Sequence, residues 1–97
     1  MKAIYKYELS EEKVQWVSLP IGSTVLSVVE QYQKVVMYAI VDNETQGKIQ
    51  IQIEFLMLGT GQFFDDVFES HSFLNTVKLS GGNVMVHVFA EKGWGLT

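Results

Sequence analysis

Acid–base chemistry near neutral pH would have to run through His71 and His87, the only two histidines in the sequence. No third ligand stands at a zinc-site spacing, such as i, i+2 or i, i+4, from either of them, so no metal centre is expected. His87 lies inside an apolar stretch, Val84 to Ala90, where a hydrogen-bonded core or interface imidazole is commoner than a catalytic base. A serine nucleophile of the elbow type needs a sharp strand-to-helix turn flanked by glycines, and none of Ser10, Ser18, Ser23, Ser27, Ser70, Ser72 or Ser80 has that context. Asp65-Asp66 with Glu69 is the one tight acidic group; it could hold a divalent cation, but between phenylalanines its simpler role is to keep a loop hydrated. The absence of cysteine removes thiolate nucleophiles, thiolate metal sites and disulfides together, and fits a reducing cytoplasm. Nothing in this inventory demands bond breaking, so the reading is a protein that is not an enzyme and carries no cofactor.

Binding is better served. Gly59-Thr60-Gly61 closes an alternating stretch, and successive backbone N–H groups of a glycine-rich turn can form a concavity for an anion. The motif lacks the longer glycine spacing and the Lys-Ser/Thr pair of a P-loop, and no strong helix follows to add a dipole, so a plain turn needing positive φ is the competing account. Tyr5, Tyr7, Trp16, Tyr32, Tyr38 and Trp94 offer flat faces with polar edges, suited to stacking on a base while hydrogen-bonding, although most of them are expected in the core. Lys6, between Tyr5 and Tyr7, is the best cation beside aromatic rings, though alternation points it to the opposite face. The candidate ligand-binding residues are therefore Tyr5, Lys6, Tyr7, Trp16, Gly59, Thr60, Gly61 and His87.

These groups must be positioned by strands. Valine and isoleucine abound while alanine is scarce, a balance that favours pleated, half-buried surfaces over helices. Ile4 to Leu9 alternates, with Tyr5, Tyr7 and Leu9 on one face, and Val14 to Leu19 opposes Val17 and Leu19 to Trp16. Pro20-Ile21-Gly22-Ser23 breaks the chain; Thr24 to Gln31 and Lys34 to Asp42 then form a hairpin about Tyr32-Gln33. After a polar turn at Asn43 to Gly47, Ile49, Ile51, Ile53, Phe55 and Met57 alternate with Gln50, Gln52, Glu54 and Leu56. Gln62 to Ser72 reads as a loop with at most two turns of helix, and Ser80-Gly81-Gly82 joins Phe73 to Leu79 with Asn83 to Glu91 as a hairpin. The fold class is all-β, an antiparallel sandwich or small barrel of about seven strands, with residues 1–92 as one domain and 93–97 as a tail.

Ninety-seven residues hold one core, which buries only about 60–65% of the surface of the extended chain. Two strands are nevertheless apolar on both faces: Val35, Met37, Ala39 and Val41 oppose Val36, Tyr38 and Ile40, while Val84, Val86, Val88 and Ala90 oppose Met85, His87 and Phe89. Either the sandwich wraps closely or a partner subunit covers the second set, and a homo-oligomer is the expectation. All seven cations are lysines, outnumbered by eleven carboxylates; without the planar fork of arginine and with net charge −4, duplex nucleic acid is a poor partner. No stretch resembles a targeting sequence or reaches the ~18 apolar residues of a membrane helix, so no membrane partner is expected.

Met1-Lys2-Ala3-Ile4-Tyr5-Lys6-Tyr7-Glu8-Leu9, Leu19-Pro20-Ile21-Gly22, Val25-Leu26-Ser27-Val28, Ala39-Ile40-Val41-Asp42, Gly59-Thr60-Gly61 and Val86-His87-Val88-Phe89, taken in order, resemble a group of small bacteriophage and prophage proteins known as a domain of unknown function. Members of that group often carry tryptophan where this chain has Tyr38 and Val86, and proline after the glycine pair, where Phe63 and Phe64 stand here. The resemblance implies a phage protein at work in the bacterial cytoplasm, and no activity by itself. Small phage proteins without enzyme motifs are often inhibitors of host defence, and oligomeric sponges that sequester nucleotide immune signals between subunits resemble this chain in size and expected self-association. A cyclic nucleotide, or a cyclic ADP-ribose type of signal, needs an enclosed site with stacking surfaces, hydroxyl and backbone donors and a few cations, which a subunit interface can supply. The alternatives are an inhibitor or adaptor that blocks a host protein through an apolar patch or strand edge, and a structural, virion-associated module.

Overall fold

The alternating segments become strands because each has one apolar row to bury. In the computed structural model, which describes residues 1–42, 49–66 and 70–92, the strands are β1 (Lys2–Glu8), β2 (Val14–Pro20), β3 (Thr24–Gln31), β4 (Lys34–Asp42), β5 (Gln50–Gly59), β6 (His71–Leu79) and β7 (Val84–Glu91). The expected turn at Asn43 to Gly47, the tail with Trp94, and residues 67–69 lie outside the described residues. The strands form two antiparallel sheets, β1-β4-β3 and β2-β5-β7-β6, packed as a sandwich with no closed barrel.

The core lies between the sheets. Phe55, Leu19, Met37, Val28, Val41 and Val88 are the largest fully buried side chains, and truncating any of the larger ones to alanine costs about 2–5 kcal/mol. Two bulges keep the alternation in phase. Between Val25 and Ser27 the register slips, so that Leu26 is turned outward while Val25 and Val28 both face the core. Between Phe73 and Asn75 a second slip pairs Phe73 with Phe89 and Asn75 with Val88, and Leu74 packs against the core. Asn75 Nδ2 then donates to Val28 O across the sandwich at 2.6 Å, tying β6 to β3.

Tyr32 and Gln33 both have positive φ, 54° and 65°, so the β3–β4 hairpin closes through a turn of the I′ hand without glycine or asparagine. Glu30 Oε2 accepts the Gln33 N–H at 2.7 Å and holds this uncommon backbone. Pro20 ends β2, an edge strand, where its missing N–H breaks no ladder.

One expectation needs correcting. His71 and Ser72 are not part of the β5–β6 connection; they belong to β6, because they pair with Glu91 and Ala90 of β7. Residues 62–66 form a loop without helix, in keeping with the rest of that reading. The surplus apolar face also divides unevenly. Phe89, on the outward face of the four-stranded sheet, is buried within a single chain together with Leu56 and Leu58, whereas Tyr38 and Met85 are half-buried. Phe89 packs there with Leu56 and Leu58 and meets the Phe73 ring edge-on, at a centroid separation of 5.5 Å. On the three-stranded sheet, by contrast, Ile4 (62% exposed), Leu26 and Val29 remain open to solvent.

Candidate functional site

Strand β5 runs two residues past its alternating row and ends at Gly59, which pairs with Val86 of β7. The chain then turns: Gln62 N–H donates to Gly59 O at 3.2 Å, Gly59 N–H donates to Gln62 Oε1 at 2.7 Å, and Gly61 takes φ +87°. A positive φ at the third position is what a type II turn requires, which accounts for Gly61. Gly59 has an ordinary φ, and its contribution is the register with Val86.

That register sets Thr60 against His87. Thr60 Oγ1 lies 2.8 Å from His87 Nε2, and Thr76 Oγ1, on the neighbouring strand β6 where Thr76 pairs with His87, lies 2.9 Å from His87 Nδ1. A neutral imidazole offers one donor and one acceptor, so one threonine donates and the other accepts, and either tautomer is satisfied. Lys78 stands two residues beyond Thr76 on the same outward face. Phe63, two residues after Gly61, is 95% exposed. Hydroxyls, an imidazole and a lysine thus share one end of the four-stranded sheet, while the Phe63 carbonyl accepts from Lys13 Nζ at 3.5 Å on the β2 side of the turn. The arrangement suits an anion carrying a flat group.

The other predicted residues lie elsewhere. Tyr5 and Tyr7 face the sandwich interior from β1, Tyr7 packed against the core and Tyr5 near its margin, while Lys6 points outward beside Tyr38. Burial holds the Tyr7 hydroxyl above its ordinary pKa of 10.0, with the neighbouring Tyr5 adding to the rise. Trp16, 57% exposed, lies on the outward face of β2 opposite Glu54. Trp16 and Tyr7 meet only in lining a cavity of about 690 Å3 beneath the β1–β2 link, whose Glu8 and Glu12 make it a poor place for an anion. A further cavity of about 720 Å3 opens at the end of the sandwich over Leu9, Met57, Val84 and Val86, and none of the eight predicted residues lines it. The structure therefore joins Gly59, Thr60, Gly61 and His87 into one site, and it adds Thr76 and Lys78, which sequence reasoning passed over. Their signal was present only as period-two spacing on a strand whose partner was unknown.

Among the described residues, no group of three acidic or histidine side chains could hold a metal ion. Asp65 and Asp66 are exposed, and Glu69 lies outside the described residues. No described helix is long and apolar enough to cross a membrane.

Residues 1–94 match the family described as domain of unknown function DUF7352. The chain belongs to that family. Neither the curated proteins nor the solved structures provide a match. The DUF7352 match spans both sheets and every residue of the Thr60–His87–Thr76 site, so the family description and the site cover the same unit.

Proposed function

We propose that this DUF7352 protein is a phage-encoded binding protein whose Thr60–His87 site, without catalysing a reaction, sequesters a nucleotide immune signal, of the cyclic nucleotide or cyclic ADP-ribose type, between its own copies in the bacterial cytoplasm. The observation that carries the reading is the pair of threonine hydroxyls on the two ring nitrogens of His87, beside a glycine turn. The same geometry argues against turnover. Thr60 could be drawn as a nucleophile with His87 as its base, but the group behind the base is the Thr76 hydroxyl, which carries no charge to stabilise an imidazolium. A phosphate can instead accept a hydrogen bond from whichever threonine does not donate to His87 and pair with Lys78, while Phe63 offers a face for a base. Phe63 standing almost fully open in a single chain supports a site that is completed by a second copy or by the ligand.

Isothermal calorimetry of the full chain with a panel of cyclic dinucleotides and cyclic ADP-ribose isomers tests this. Saturable, stoichiometric heat with at least one of them is the expected result, and no heat with any of them would overturn the reading. A second reading, a blocker of a host protein, is favoured by the open apolar row Ile4, Leu26 and Val29 on the three-stranded sheet. It would be supported by a defined one-to-one complex with a host protein, reconstituted from purified components and disrupted by Ile4→Lys.

A further inference from the structure

The carboxylate missing behind His87 is present behind the other histidine. His71, at the start of β6, is 7% exposed, and both of its ring nitrogens are engaged: Nε2 lies 2.8 Å from Glu54 Oε1 and Nδ1 lies 2.7 Å from Ser70 Oγ. An ionised Glu54 only accepts, so the neutral ring carries its proton on Nε2, and Nδ1 is left as the acceptor of the Ser70 hydroxyl proton. We infer that Ser70, His71 and Glu54 form a nucleophile–base–carboxylate relay, an acyl-transfer site acting on small esters that is separate from the Thr60–His87 site.

The fold builds the relay in three steps. Glu54 stands on β5 one residue beyond the last β5–β7 pair, Phe55–Ala90, so the two strands part at this level. The opening is closed by side chains: Glu91 Oε1 accepts the Glu54 N–H at 2.7 Å, which fixes the backbone that carries the carboxylate. Ser70 is held in turn by its carbonyl, which accepts the Lys92 N–H at 3.0 Å, while its side chain is exposed. The nucleophile is the most exposed of the three. The base is buried and the carboxylate half-buried, an order suited to attack on an external ligand. Trp16, across β2 from Glu54 on the same outward face, supplies an apolar platform for an acyl or aryl group.

The roles match those of a serine–histidine–carboxylate triad, with the two ring nitrogens exchanged. Ser70 Oγ attacks the ester carbonyl carbon as its proton passes to His71 Nδ1. The bond from that carbon to the leaving oxygen then breaks, and His71 gives the proton to the departing alkoxide. In the second half, water loses a proton to Nδ1 and cleaves the Ser70 ester, releasing the carboxylic acid as the proton returns to Ser70 Oγ. Glu54 stays ionised throughout and holds the ring.

The full chain is treated with a fluorophosphonate, and separately with p-nitrophenyl acetate. The expected result is one phosphonyl adduct per chain, mapped to Ser70 by peptide mass spectrometry, and ester turnover that Ser70→Ala abolishes. Ser70 is exposed, but its hydroxyl is the partner of the buried His71 Nδ1, so that variant should fold and melt somewhat below the parent. Glu54 is a positioning residue: Glu54→Gln should lower kcat on the order of a hundredfold and leave KM unaltered, since it touches no substrate. No adduct, adducts spread over several serines, or turnover that survives Ser70→Ala would each overturn the inference and leave the three residues as a clasp at the start of β6. Nucleotide binding at His87 is read independently by calorimetry on Ser70→Ala.

Discussion

Thr60 Oγ1 and His87 Nε2 stand 2.8 Å apart although 27 residues separate them in the chain. The contact exists because β5 and β7 are neighbours with Gly59 opposite Val86, which places the turn after β5 over the outward-facing residue that follows Val86. Thr60→Val removes the exposed hydroxyl and keeps the shape. Ligand affinity should fall by about fivefold, the equivalent of about 1 kcal/mol, with the melting curve unmoved. Calorimetry beside thermal melting checks both halves, and a variant that unfolds instead would mark Thr60 as structural.

Thr76 should behave differently. Its partner, the half-buried Nδ1 of His87, has no access to bulk water comparable to that of Thr60, so Thr76→Val costs stability as well as affinity. About 1 kcal/mol of stability loss is expected in urea melts.

Gly61→Ala isolates the backbone. Nothing lies within 4 Å of the added Cβ, so the whole cost comes from φ +87°, a region that non-glycine residues avoid. A loss of about 1–2 kcal/mol in chemical denaturation is expected, together with weaker ligand binding as Thr60 is displaced.

Gln15 is buried and makes most of the hydrogen bonds that close the β1–β2 link. Its Nε2 donates to Ser10 O at 3.0 Å and Glu12 O at 2.9 Å and contacts Met57 Sδ at 3.2 Å, while its Oε1 accepts the Ser10 N–H at 2.7 Å. Gln15→Leu preserves bulk but orphans backbone groups. A destabilisation of about 1–3 kcal/mol in urea melts is expected, and an unchanged midpoint would show that the link rearranges freely.

Tyr7 gives the fold a pH dependence of known sign. Its pKa is raised in the folded chain, chiefly by burial, so the folded state keeps the proton where the unfolded state has lost it. Stability from this group is complete below the ordinary value of 10.0 and is lost as pH climbs through the higher folded value. Tyr7→Phe should therefore show a shallower fall in melting temperature above pH 10.0 than the parent does. Parallel alkaline melts of the two proteins provide the comparison.

What was legible in the sequence was local. Local signals identify all seven strands, alternation in β1 and β5 and β-branched runs bounded by turn residues elsewhere, with Thr24–Gln31 and Lys34–Asp42 matched at both ends, since neither signal depends on anything distant. The polar Tyr32-Gln33 pair was placed as a turn by the spacing of its strands alone. What was not legible was adjacency. Which strand lies beside β7 decides that Phe89 is buried on an outward face, that Thr76 joins His87, and that Glu54 reaches His71 from 17 residues away. Ser70 was set aside for lacking a glycine elbow, whereas its partner is the next residue in the chain and the carboxylate arrives through the sheet. Tyr5, Lys6 and Tyr7 drew attention as an aromatic pair with a lysine, but the three-stranded sheet to which they belong lies away from the glycine turn.

The most direct test of sequestration is mass spectrometry of what the protein carries. The chain is purified from bacteria producing the nucleotide signal, heated to unfold it, and the released small molecules are weighed. The account predicts one intact nucleotide of unaltered mass, at a fixed ratio to protein that is lower in Thr60→Val prepared in parallel. An empty protein, a degraded nucleotide, or the same nucleotide bound equally by the variant would contradict it.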